Sequence, residues 1–509
     1  MARVLSTWAA KSLSDRIFTW IAYNPRLATI LFDEFVFNLF WGILAFVNIC
    51  VIGAGYVGLV TSACLAYLGN EVIAVEADQS RLDSLKRGVV PFFEPGLNDL
   101  VKHCSELGSL TFSNKLEEAV KKSQIIFIAV GTPSLANGES DLSQVMTVAR
   151  EIGQALDSTK KRVIVNKSTV PVGSGNWVEM LVNQGLMMVQ TVPAGPARSQ
   201  APAFSIVSNP EFLREGSAIA DSFYPDRIVV GAQDEAAVAL MQKLYGPILD
   251  QSFTPPAVAP RPDKLPPIPL VVTDLASAEL IKYSANAFLA LKISFANEIA
   301  GLCEKSGADI REVMRGIGLD KRIGQYFLNA GIGWGGSCFG KDINALMQVA
   351  KEYNYPTSLL EATSDVNYRQ RTLVIKKLQD ELKIIKGRTV GLMGLSFKPN
   401  TDDLRDAPSL TIAQHLIKMG VSVKAYDPVS NANCQAIHPE LEIAYCDNLE
   451  QLATGADALV LVTEWDEFKR APWKKIAGLM KGLLIIDGRN ALDKDELVKI
   501  GFTYRGIGY

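Results

Sequence analysis

The residues whose types and spacing most suggest chemistry lie in the run GIGWGGSCFGKD, residues 331–342, which contains the cysteine Cys338. A glycine-rich loop precedes Cys338, and the residues after it have the pattern of a helix start. A helix N-terminus and the ammonium of nearby Lys341 would both favour the thiolate form of this cysteine. An isolated cysteine is more often a small core residue. The run therefore predicts a nucleophilic thiol only when other motifs support it.

The supporting motif is VNICVIGAGYVG, residues 47–58, which predicts a strand that ends in a G-x-G-x-x-G turn. In such turns Gly53 would make the tight bend, Gly55 would let a pyrophosphate approach, and Gly58 would allow close helix packing. Glu76 follows 18 residues after Gly58, at the end of the next predicted strand. A carboxylate there accepts hydrogen bonds from a ribose and repels a 2′-phosphate, which favours NAD over NADP. A hydride acceptor together with a nucleophilic thiol suggests oxidation through a thioester.

Two further pairs of polar residues leave alternatives open. Lys282 and Asn286 are four residues apart in ELIKYSANAF and would share one face of a helix. On a solvated face they would have no function, whereas beside a reacting carbon they could stabilise an oxyanion. SNPEFLREG, residues 208–216, contains Glu211 and Glu215. These acids either cap an ordinary helix start or orient a water for hydrolysis, and the spacing does not choose.

Strand and helix patterns alternate on both sides of a helical middle region. VGTPS (residues 130–134) and NKSTVPVG (residues 166–173) stand where predicted strands end, the edge at which such sheets bind ligands, although both could be ordinary turns. A proline-rich interval, residues 254–269, predicts an exposed connector, and one long helix is predicted from Asp274 to about Gly307. The predicted fold class is α/β, with two Rossmann-like lobes joined by a helical central domain containing one long helix.

Composition excludes several functional classes. A net charge of −3 gives no basic surface for nucleic acid. The seven cysteines form no CxxC pair, which indicates neither a disulfide framework nor a zinc or other metal site and favours a reducing cytoplasm. Only three histidines occur, none in a glycine-rich context, so imidazole acid–base catalysis is not expected.

The first 46 residues are an atypical apolar extension. Their apolar run, residues 35–47, is shorter than the roughly 20 residues that span a bilayer. Three interpretations remain: a membrane-surface helix, an extra packing helix, or an upstream segment absent from the native protein. The third is motivated by the predicted first strand, which begins at Val47, because a valine codon can start translation in bacteria.

From residue 47 to the end, the blocks GAGYVG, KSTVPVG, NPEFLREG, ELIKYSANAF, GGSCFGKD and SFKPNTDDLRDAP, in this order, closely resemble the UDP-glucose/GDP-mannose dehydrogenase family. The resemblance implies an NAD-dependent, four-electron oxidation of the primary alcohol of a nucleotide sugar to a carboxylate, with two NADH released. The residues of the KSTVPVG and LDKRIG motifs favour UDP-glucose as the substrate over GDP-mannose or another nucleotide sugar. The product would then be UDP-glucuronate. The strand and helix patterns divide the chain into an atypical extension at 1–46 and domains at 47–270, 271–386 and 387–509. The resemblance implies that these domains are, in order, an NAD-binding Rossmann-like domain, a helical central and dimerisation domain, and a C-terminal UDP-sugar-binding Rossmann-like domain.

The resemblance assigns catalytic roles residue by residue. Cys338 is the implied nucleophile, which captures an aldehyde as a thiohemiacetal; hydride loss then gives a thioester that water hydrolyses. Lys282 and Asn286 are implied to stabilise the oxygen anion. The implied partners of the water and of the hydrolysis step are Asp342, Glu211 and Thr169.

The implied ligand contacts come from many segments. Those to NAD are Gly53, Ala54, Gly55, Tyr56, Val57, Gly58, Glu76, Arg81, Val130, Gly131, Thr132, Pro133, Ser134, Ser168, Thr169, Glu215, Lys341 and Arg405. Those to the sugar nucleotide are Glu211, Phe212, Leu213, Arg214, Lys282, Asn286, Arg322, Phe327, Leu328, Gly331, Trp334, Gly335, Phe397, Lys398 and Arg489. Arg322 matches a family arginine that reaches into the neighbouring subunit's site, which implies a homo-oligomer, at least a dimer.

Two other functions compete with this interpretation. A two-electron 3-hydroxyacid-type dehydrogenase also uses a Lys-x-x-x-Asn helix pair, but it would leave Cys338 without a role and would release one NADH per substrate. A noncatalytic nucleotide-sugar-binding or scaffold protein would bind ligand without forming NADH. The number of NADH released per sugar separates the three.

Overall fold

The computed structural model describes residues 47–135, 138–190 and 202–509, so the N-terminal extension and its three interpretations lie outside the described residues. The first lobe alternates strands and helices as the sequence predicts. Its elements are β1 (Asn48–Ile52), α1 (Tyr56–Tyr67), β2 (Glu71–Val75), α2 (Gln79–Lys86), α3 (Leu97–Glu106), β3 (Leu110–Ser113), α4 (Leu116–Lys122), β4 (Ile125–Ile128), α5 (Ser143–Ala155), β5 (Arg162–Asn166), α6 (Ser174–Gln190), β6 (Phe204–Ser208), α7 (Ala218–Phe223), β7 (Ile228–Ala232), α8 (Glu235–Leu249) and β8 (Leu270–Thr273).

These strands form one eight-stranded sheet in the order β3-β2-β1-β4-β5-β6-β7-β8. The first six strands of that order are parallel, as the βαβ pattern predicts. β7 pairs antiparallel with β6, and β8 runs parallel to β7. The direction reverses because the chain stays at the carboxyl edge of β6 through residues 209–217 and re-enters the sheet from there. The first sheet also continues to Thr273, three residues past the boundary that the proline-rich interval suggested.

The strands of this lobe are nearly continuous apolar runs, and β4 and β5 are buried throughout. Such strands need cover on both faces, which the flanking helices supply. The core formed by the sheet, α5 and α6 includes Ile126, Ile164 and Val182, each with no exposed surface. This packing fixes the carboxyl ends of β1, β4 and β5, from which the site loops emerge.

The middle of the chain is helical. It contains α9 (Leu275–Ser306), α10 (Ile310–Gly318), α11 (Phe339–Glu352) and α12 (Ser358–Leu382). The predicted long helix is confirmed: Asp274 caps α9 by accepting a hydrogen bond from the Ser277 backbone N–H, and Gly307 ends it with φ 77°. Residues 319–338, between α10 and α11, form the glycine-rich loop that leads to Cys338.

The second lobe repeats the α/β pattern. Its elements are β9 (Thr389–Met393), α13 (Pro408–Lys418), β10 (Ser422–Tyr426), α14 (Asn431–Ile437), β11 (Ile443–Tyr445), α15 (Leu449–Ala453), β12 (Ala458–Leu461), α16 (Asp466–Lys469), α17 (Trp473–Leu479), β13 (Leu484–Asp487), α18 (Lys494–Ile500) and β14 (Thr503–Arg505). The six strands are all parallel, in the order β11-β10-β9-β12-β13-β14. The predicted fold class, two Rossmann-like lobes around a helical middle with one long helix, is confirmed. Within the described ranges, no helix has both the length and the hydropathy needed to cross a membrane.

Candidate active site

The glycine turn after β1 has the geometry that a dinucleotide requires. Gly53 has φ +100°, and a Cβ there would lie 2.7 Å from the Ala129 carbonyl oxygen. A Cβ on Gly58 would collide with the Gly53 carbonyl, whereas a Cβ on Gly55 would meet no atom within 4 Å. The first and third glycines are therefore needed for packing, and the second keeps an open surface at the N-terminus of α1. The turn thus fits a pyrophosphate that approaches Gly55.

Glu76 lies beside this turn at the end of β2. Its carboxylate is buried and accepts hydrogen bonds from the backbone N–H groups of Ala54 (3.2 Å) and Asp78 (2.9 Å). The Arg81 guanidinium, an expected NAD contact, forms an ion pair with it at 3.4 Å. A carboxylate anchored next to the glycine turn suits a ribose, so these residues fit NAD.

The loops after β4 and β5 are joined to each other, so neither is an independent turn. The Thr132 hydroxyl donates to the Thr169 carbonyl oxygen (2.8 Å), and the Ser168 hydroxyl donates to the Val130 carbonyl oxygen (2.8 Å). Gly131, Pro133 and Ser134 continue the first loop at the same sheet edge. The structure thus brings VGTPS and KSTVP together where ligands bind such sheets.

Lys282 and Glu211 form a buried ion pair, with Nζ 2.8 Å from Oε1 and side chains only 6% and 7% exposed. Burial by itself would raise the pKa of Glu211, but the Lys282 ammonium, the Leu213 backbone N–H and the charge of Lys167 together hold that pKa below its ordinary value. Burial would likewise lower the pKa of Lys282, yet Glu211, Cys338 and Asp342 hold it above its ordinary value. The ion pair with Glu211 thus favours the charged form of Lys282 inside the protein.

The interpretation of SNPEFLREG as a capped helix start is wrong. Residues 209–217 are not helical, and α7 begins at Ala218. The second carboxylate oxygen of Glu211 accepts a hydrogen bond from the Leu213 backbone N–H (2.6 Å), which fixes this acid toward Lys282. The segment is an extended loop at the carboxyl edge of β6.

Asn286, one turn after Lys282 on α9, contacts Asp342 on α11. The Asn286 Nδ2 donates to Asp342 Oδ2 at 2.6 Å, and the Lys341 Nζ donates to Asp342 Oδ1 at 2.7 Å. Asp342 is buried. Lys341 is thus committed to Asp342, so the expectation that it activates the thiol of Cys338 is not supported by its position.

Cys338 stands at the N-cap of α11, as the sequence predicts, and all seven cysteines lie within the described residues, where Cys338 is the exposed one. The surroundings of the sulfur oppose the thiolate that the sequence led us to expect. The protein around the sulfur raises the pKa of Cys338 through desolvation, and the Lys282 ammonium only partly opposes that shift. Its sulfur lies 3.6 Å from the Ser337 hydroxyl.

The loop 327–336 is held by two helices of the central region. Asn297 on α9 accepts from the Gly331 backbone N–H (2.8 Å), and Asn367 on α12 accepts from the Trp334 backbone N–H (2.8 Å). The side chains of Leu328 and Trp334 are buried in hydrophobic clusters, where they anchor the loop. Phe327 has φ 62° and its ring lies 6.3 Å from that of Phe339.

Arg489, an expected substrate contact, links this loop to the second lobe. Its guanidinium donates to the carbonyl oxygens of Gly333 (2.9 Å), Val462 (2.7 Å) and Phe397 (3.3 Å). The ring of Phe397 packs against Gly335 and Gly336, where a Cβ would be crowded. Lys398 places its Nζ 5.2 Å from that ring. Phe397 and Lys398 therefore lie beside the loop 327–336, and Arg489 holds this loop through its hydrogen bond to Gly333.

The two lobes meet at Glu215 and Arg405, both expected to contact NAD. The Arg405 guanidinium lies 3.1 Å from Glu215 Oε1 and also pairs with Asp403. Burial, followed by the negative charge of Asp403, raises the pKa of Glu215 to about 8. Two other expected contacts lie in local ion pairs: Arg214 with Asp221, and the highly exposed Arg322 with Asp320.

Two side chains that sequence reasoning missed shape this region. Glu94 is buried and accepts hydrogen bonds from the backbone N–H groups of Gly216 (2.6 Å) and Ala218 (2.8 Å) and from the Tyr56 hydroxyl. Arg227 stacks on the Phe212 ring at 3.5 Å. No local pattern identifies Glu94, because its partners lie 38 to 124 residues away.

Lys282 connects these parts of the site. It lines a small cavity together with Thr169, and its charge acts on the sulfur of Cys338. A mostly parallel sheet offers a dinucleotide cradle at its carboxyl edge, and an ammonium lies close enough to a thiol to act on it electrostatically. This is the architecture of a nicotinamide-dependent dehydrogenase.

Comparison with known proteins narrows this class. Three domain models match in order: the NAD binding domain (residues 47–249), the central domain (276–369) and the UDP binding domain (391–494) of the UDP-glucose/GDP-mannose dehydrogenase family. The chain is 44% identical to UDP-glucose 6-dehydrogenase TuaD of Bacillus subtilis, over 91% of this chain and 93% of that protein. It is 43% identical to a UDP-glucose 6-dehydrogenase of Pseudomonas aeruginosa, over 91% and 97% of the two chains.

A solved structure agrees with the sequence comparisons. The UDP-glucose dehydrogenase of Pyrobaculum islandicum superposes with a TM-score of 0.79 at 33% identity, covering 92% of this chain and 99% of that one. The chain therefore belongs to the UDP-glucose/GDP-mannose dehydrogenase family and is an NAD-dependent oxidoreductase. The family predicted from the sequence is confirmed.

Proposed function

We propose that the protein oxidises UDP-glucose to UDP-glucuronate with two molecules of NAD, at one site and through a thioester on Cys338. The observation that carries this proposal is the exposed Cys338, whose sulfur lies within the electrostatic reach of the buried Lys282 ammonium. A simple alcohol-to-ketone oxidation needs no nucleophile, whereas oxidation to a carboxylate gains from holding the aldehyde covalently. The relatives named as UDP-glucose 6-dehydrogenases support the choice of sugar nucleotide.

The residues of the site divide this chemistry. Lys282 donates hydrogen bonds to the C6 oxygen as its negative charge develops, and Glu211 keeps the lysine charged. Cys338 adds its sulfur to the aldehyde carbon, and because its pKa is raised, its proton must leave during that step. Asp342 orients Asn286 toward the same oxygen and accepts a proton when water attacks. Bound NAD supplies the hydride acceptor in each oxidation.

Thr169 assists the hydrolysis step, and the remaining residues bind the two ligands. The NAD contacts are the glycine turn, Glu76, the loops after β4 and β5, and the Glu215–Arg405 pair. The sugar nucleotide occupies the cleft between residues 211–214, the loop 327–336 and the Phe397–Lys398 segment, where Lys398 contributes positive charge for the diphosphate. The three domains predicted at 47–270, 271–386 and 387–509 provide, in turn, the cofactor site, the cysteine and the nucleotide site.

We further infer a homo-oligomer, at least a dimer, built on α9. Phe288, Phe295 and Leu302 are spaced seven residues apart on this helix, and each is at least half exposed. A regular apolar stripe of this kind on a soluble helix suits a second helix. Arg322 is exposed in the single chain, as a residue that reaches a neighbouring site would be. Phe295→Glu should shift the protein toward monomer in light scattering, while an unchanged mass would exclude α9 as the interface.

We place the protein in the cytoplasm. All seven cysteines are unpaired, and a reducing compartment keeps thiols in that state. The three interpretations of residues 1–46, including contact with a membrane surface, rest on the sequence alone.

One assay tests the proposed function: NADH formation with UDP-glucose, UDP-galactose and GDP-mannose, side by side. UDP-glucose should give the highest kcat/KM and two NADH per sugar. One NADH per sugar would favour the two-electron dehydrogenase, and binding without NADH would favour the noncatalytic protein. Cys338→Ser should abolish carboxylate formation, with kcat falling at least about 10³-fold.

A further inference from the structure

A small cavity lies beside Lys282, at the carboxyl ends of β5 and β6. Its volume is about 20 Å³, and its lining includes Asn166, Thr169, Ser208, Glu279 and Lys282. A single water needs about 10–15 Å³ of such space. The cavity is therefore large enough for one water molecule.

The lining contains a buried amide that has no partner. Asn166 is the last residue of β5, only 3% exposed, and neither Oδ1 nor Nδ2 has a hydrogen-bond partner among the described residues. Buried amides are almost always hydrogen-bonded, to protein or to ordered water. An amide with a free donor and a free acceptor against a water-sized cavity is what a bound water requires.

The other polar groups around the cavity leave room for that water. Both Glu279 oxygens are already engaged, by the backbone N–H groups of Gly173 (2.7 Å) and Gly175 (2.8 Å) and by the Ser208 hydroxyl (3.1 Å). Lys282 uses one of its three ammonium donors on Glu211. Asn166 and Lys282 can therefore supply the hydrogen bonds that hold the water.

We propose that this cavity binds one water molecule, that Asn166 is the positioning residue that holds it, and that this water hydrolyses the thioester on Cys338. The inference rests on the proposed function. Lys282 both lines the cavity and acts electrostatically on the Cys338 sulfur, so the stored water is one side chain away from the reacting carbon. Because the water is held in the cavity at Lys282, it does not interfere with the two hydride transfers.

The step balances without any further reactant. The water oxygen adds to the thioester carbonyl carbon, and the carbon–sulfur bond breaks. Asp342 accepts one water proton as the water attacks and passes it to the sulfur of Cys338, which regenerates the thiol. The other remains on the new carboxylic acid, which then ionises.

The test is Asn166→Leu, which keeps the branched shape of the side chain and removes both polar atoms. With UDP-glucose and NAD, the variant should release two NADH per active site in a burst and then turn over about tenfold to a hundredfold more slowly. Intact-mass analysis should detect the thioester adduct. Hydroxylamine, which replaces water as the nucleophile, should restore turnover and release a hydroxamate.

Asn70→Leu is the matched control. Asn70 is also a buried asparagine of the first lobe, but its side chain hydrogen-bonds the Leu65 carbonyl oxygen away from the site. This variant should lose stability without accumulating an adduct. Asn166→Ser, which retains a hydroxyl, should recover part of the hydrolysis rate.

Crystallography supplies a readout that does not depend on activity. A high-resolution structure of the wild-type protein should contain a water within hydrogen-bond distance of Asn166, and this water should be absent from Asn166→Leu. An empty wild-type cavity would overturn the proposal, as would a variant that hydrolyses at the wild-type rate or slows both oxidations equally. If the wild-type protein formed no NADH from UDP-glucose, the proposed function would fail, whereas the water at Asn166 would still be tested by the crystal structure.

Discussion

Lys282 and Glu211 lie 71 residues apart in the sequence, yet their charged atoms are 2.8 Å apart and nearly sealed from solvent. The lysine comes from the central helix α9, and the glutamate comes from the loop after β6. A buried ion pair adds little to stability by itself, but removing one partner leaves an uncompensated charge. This pair therefore ties the charge state of the site to the docking of α9 on the first sheet.

Glu211→Gln should destabilise the protein by about 3 kcal/mol at pH 7, because the Lys282 ammonium would remain buried without its counter-ion. The pKa of Glu211 is lowered in the folded protein, so its contribution is present above the ordinary value of 4.5 and is lost as the pH falls through the lower folded value. The gap between wild type and variant, measured by urea unfolding, should therefore shrink below about pH 4. Glu117→Gln, in the exposed pair with Lys121, should leave the unfolding free energy nearly unchanged. A gap that stays constant with pH would contradict the ionised pair.

Alkylation of the free enzyme should report the raised pKa of Cys338. Thiolate is the form that reacts with iodoacetamide. The alkylation rate should therefore still be increasing at pH 9, which is the ordinary pKa of a cysteine thiol. Lys282→Met removes the cation that opposes the shift, so its rate profile should move to higher pH. Mass spectrometry should find one label per chain, and Cys338→Ala should remove it, since the other six cysteines are buried. A rate that levels off well below pH 9 would show a preformed thiolate instead.

Glu76→Ser should relax the preference for NAD over NADP. The substitution removes the carboxylate that repels a 2′-phosphate and frees Arg81 from its 3.4 Å ion pair. The ratio of kcat/KM for NADP to that for NAD should rise at least about tenfold, which corresponds to about 1.4 kcal/mol. Glu76→Ser with Arg81→Ala is the control, because it lacks the freed cation and should gain less. An unchanged ratio in the single variant would place the ribose elsewhere.

The glycine turn offers a matched pair of substitutions. Gly55→Ala should leave the melting temperature unchanged, since its Cβ meets no atom within 4 Å, but should weaken NAD binding measured by calorimetry. Gly58→Ala should instead cost about 1–3 kcal/mol of stability, because its Cβ would collide with the Gly53 carbonyl. If Gly55→Ala bound NAD as tightly as the wild type, the pyrophosphate would not pass over this turn.

Local sequence patterns determined much of the architecture. The strand before Gly53, the long helix between Asp274 and Gly307, and the position of Cys338 at a helix start all follow from hydrophobic periodicity, caps and glycines within a few residues of each other. These signals are local because φ/ψ preferences and side-chain periodicity act over one or two turns of chain. The direction of β7 carried no such signal and was set by where the chain emerges from the edge of the sheet.

The electrostatic partners were decided by the tertiary structure. Lys341 is close to Cys338 in the sequence, but in the folded protein it pairs with Asp342. The cation whose charge acts on the sulfur is Lys282, a residue of another helix. Glu94 and Asn166 acquire their environments in the same way, from segments distant in the sequence. The sequence by itself determined which chemical groups the site contains. Charge and desolvation act through space. Only the packing of α9 and the two lobes therefore decided the partners of these groups and their pKa values.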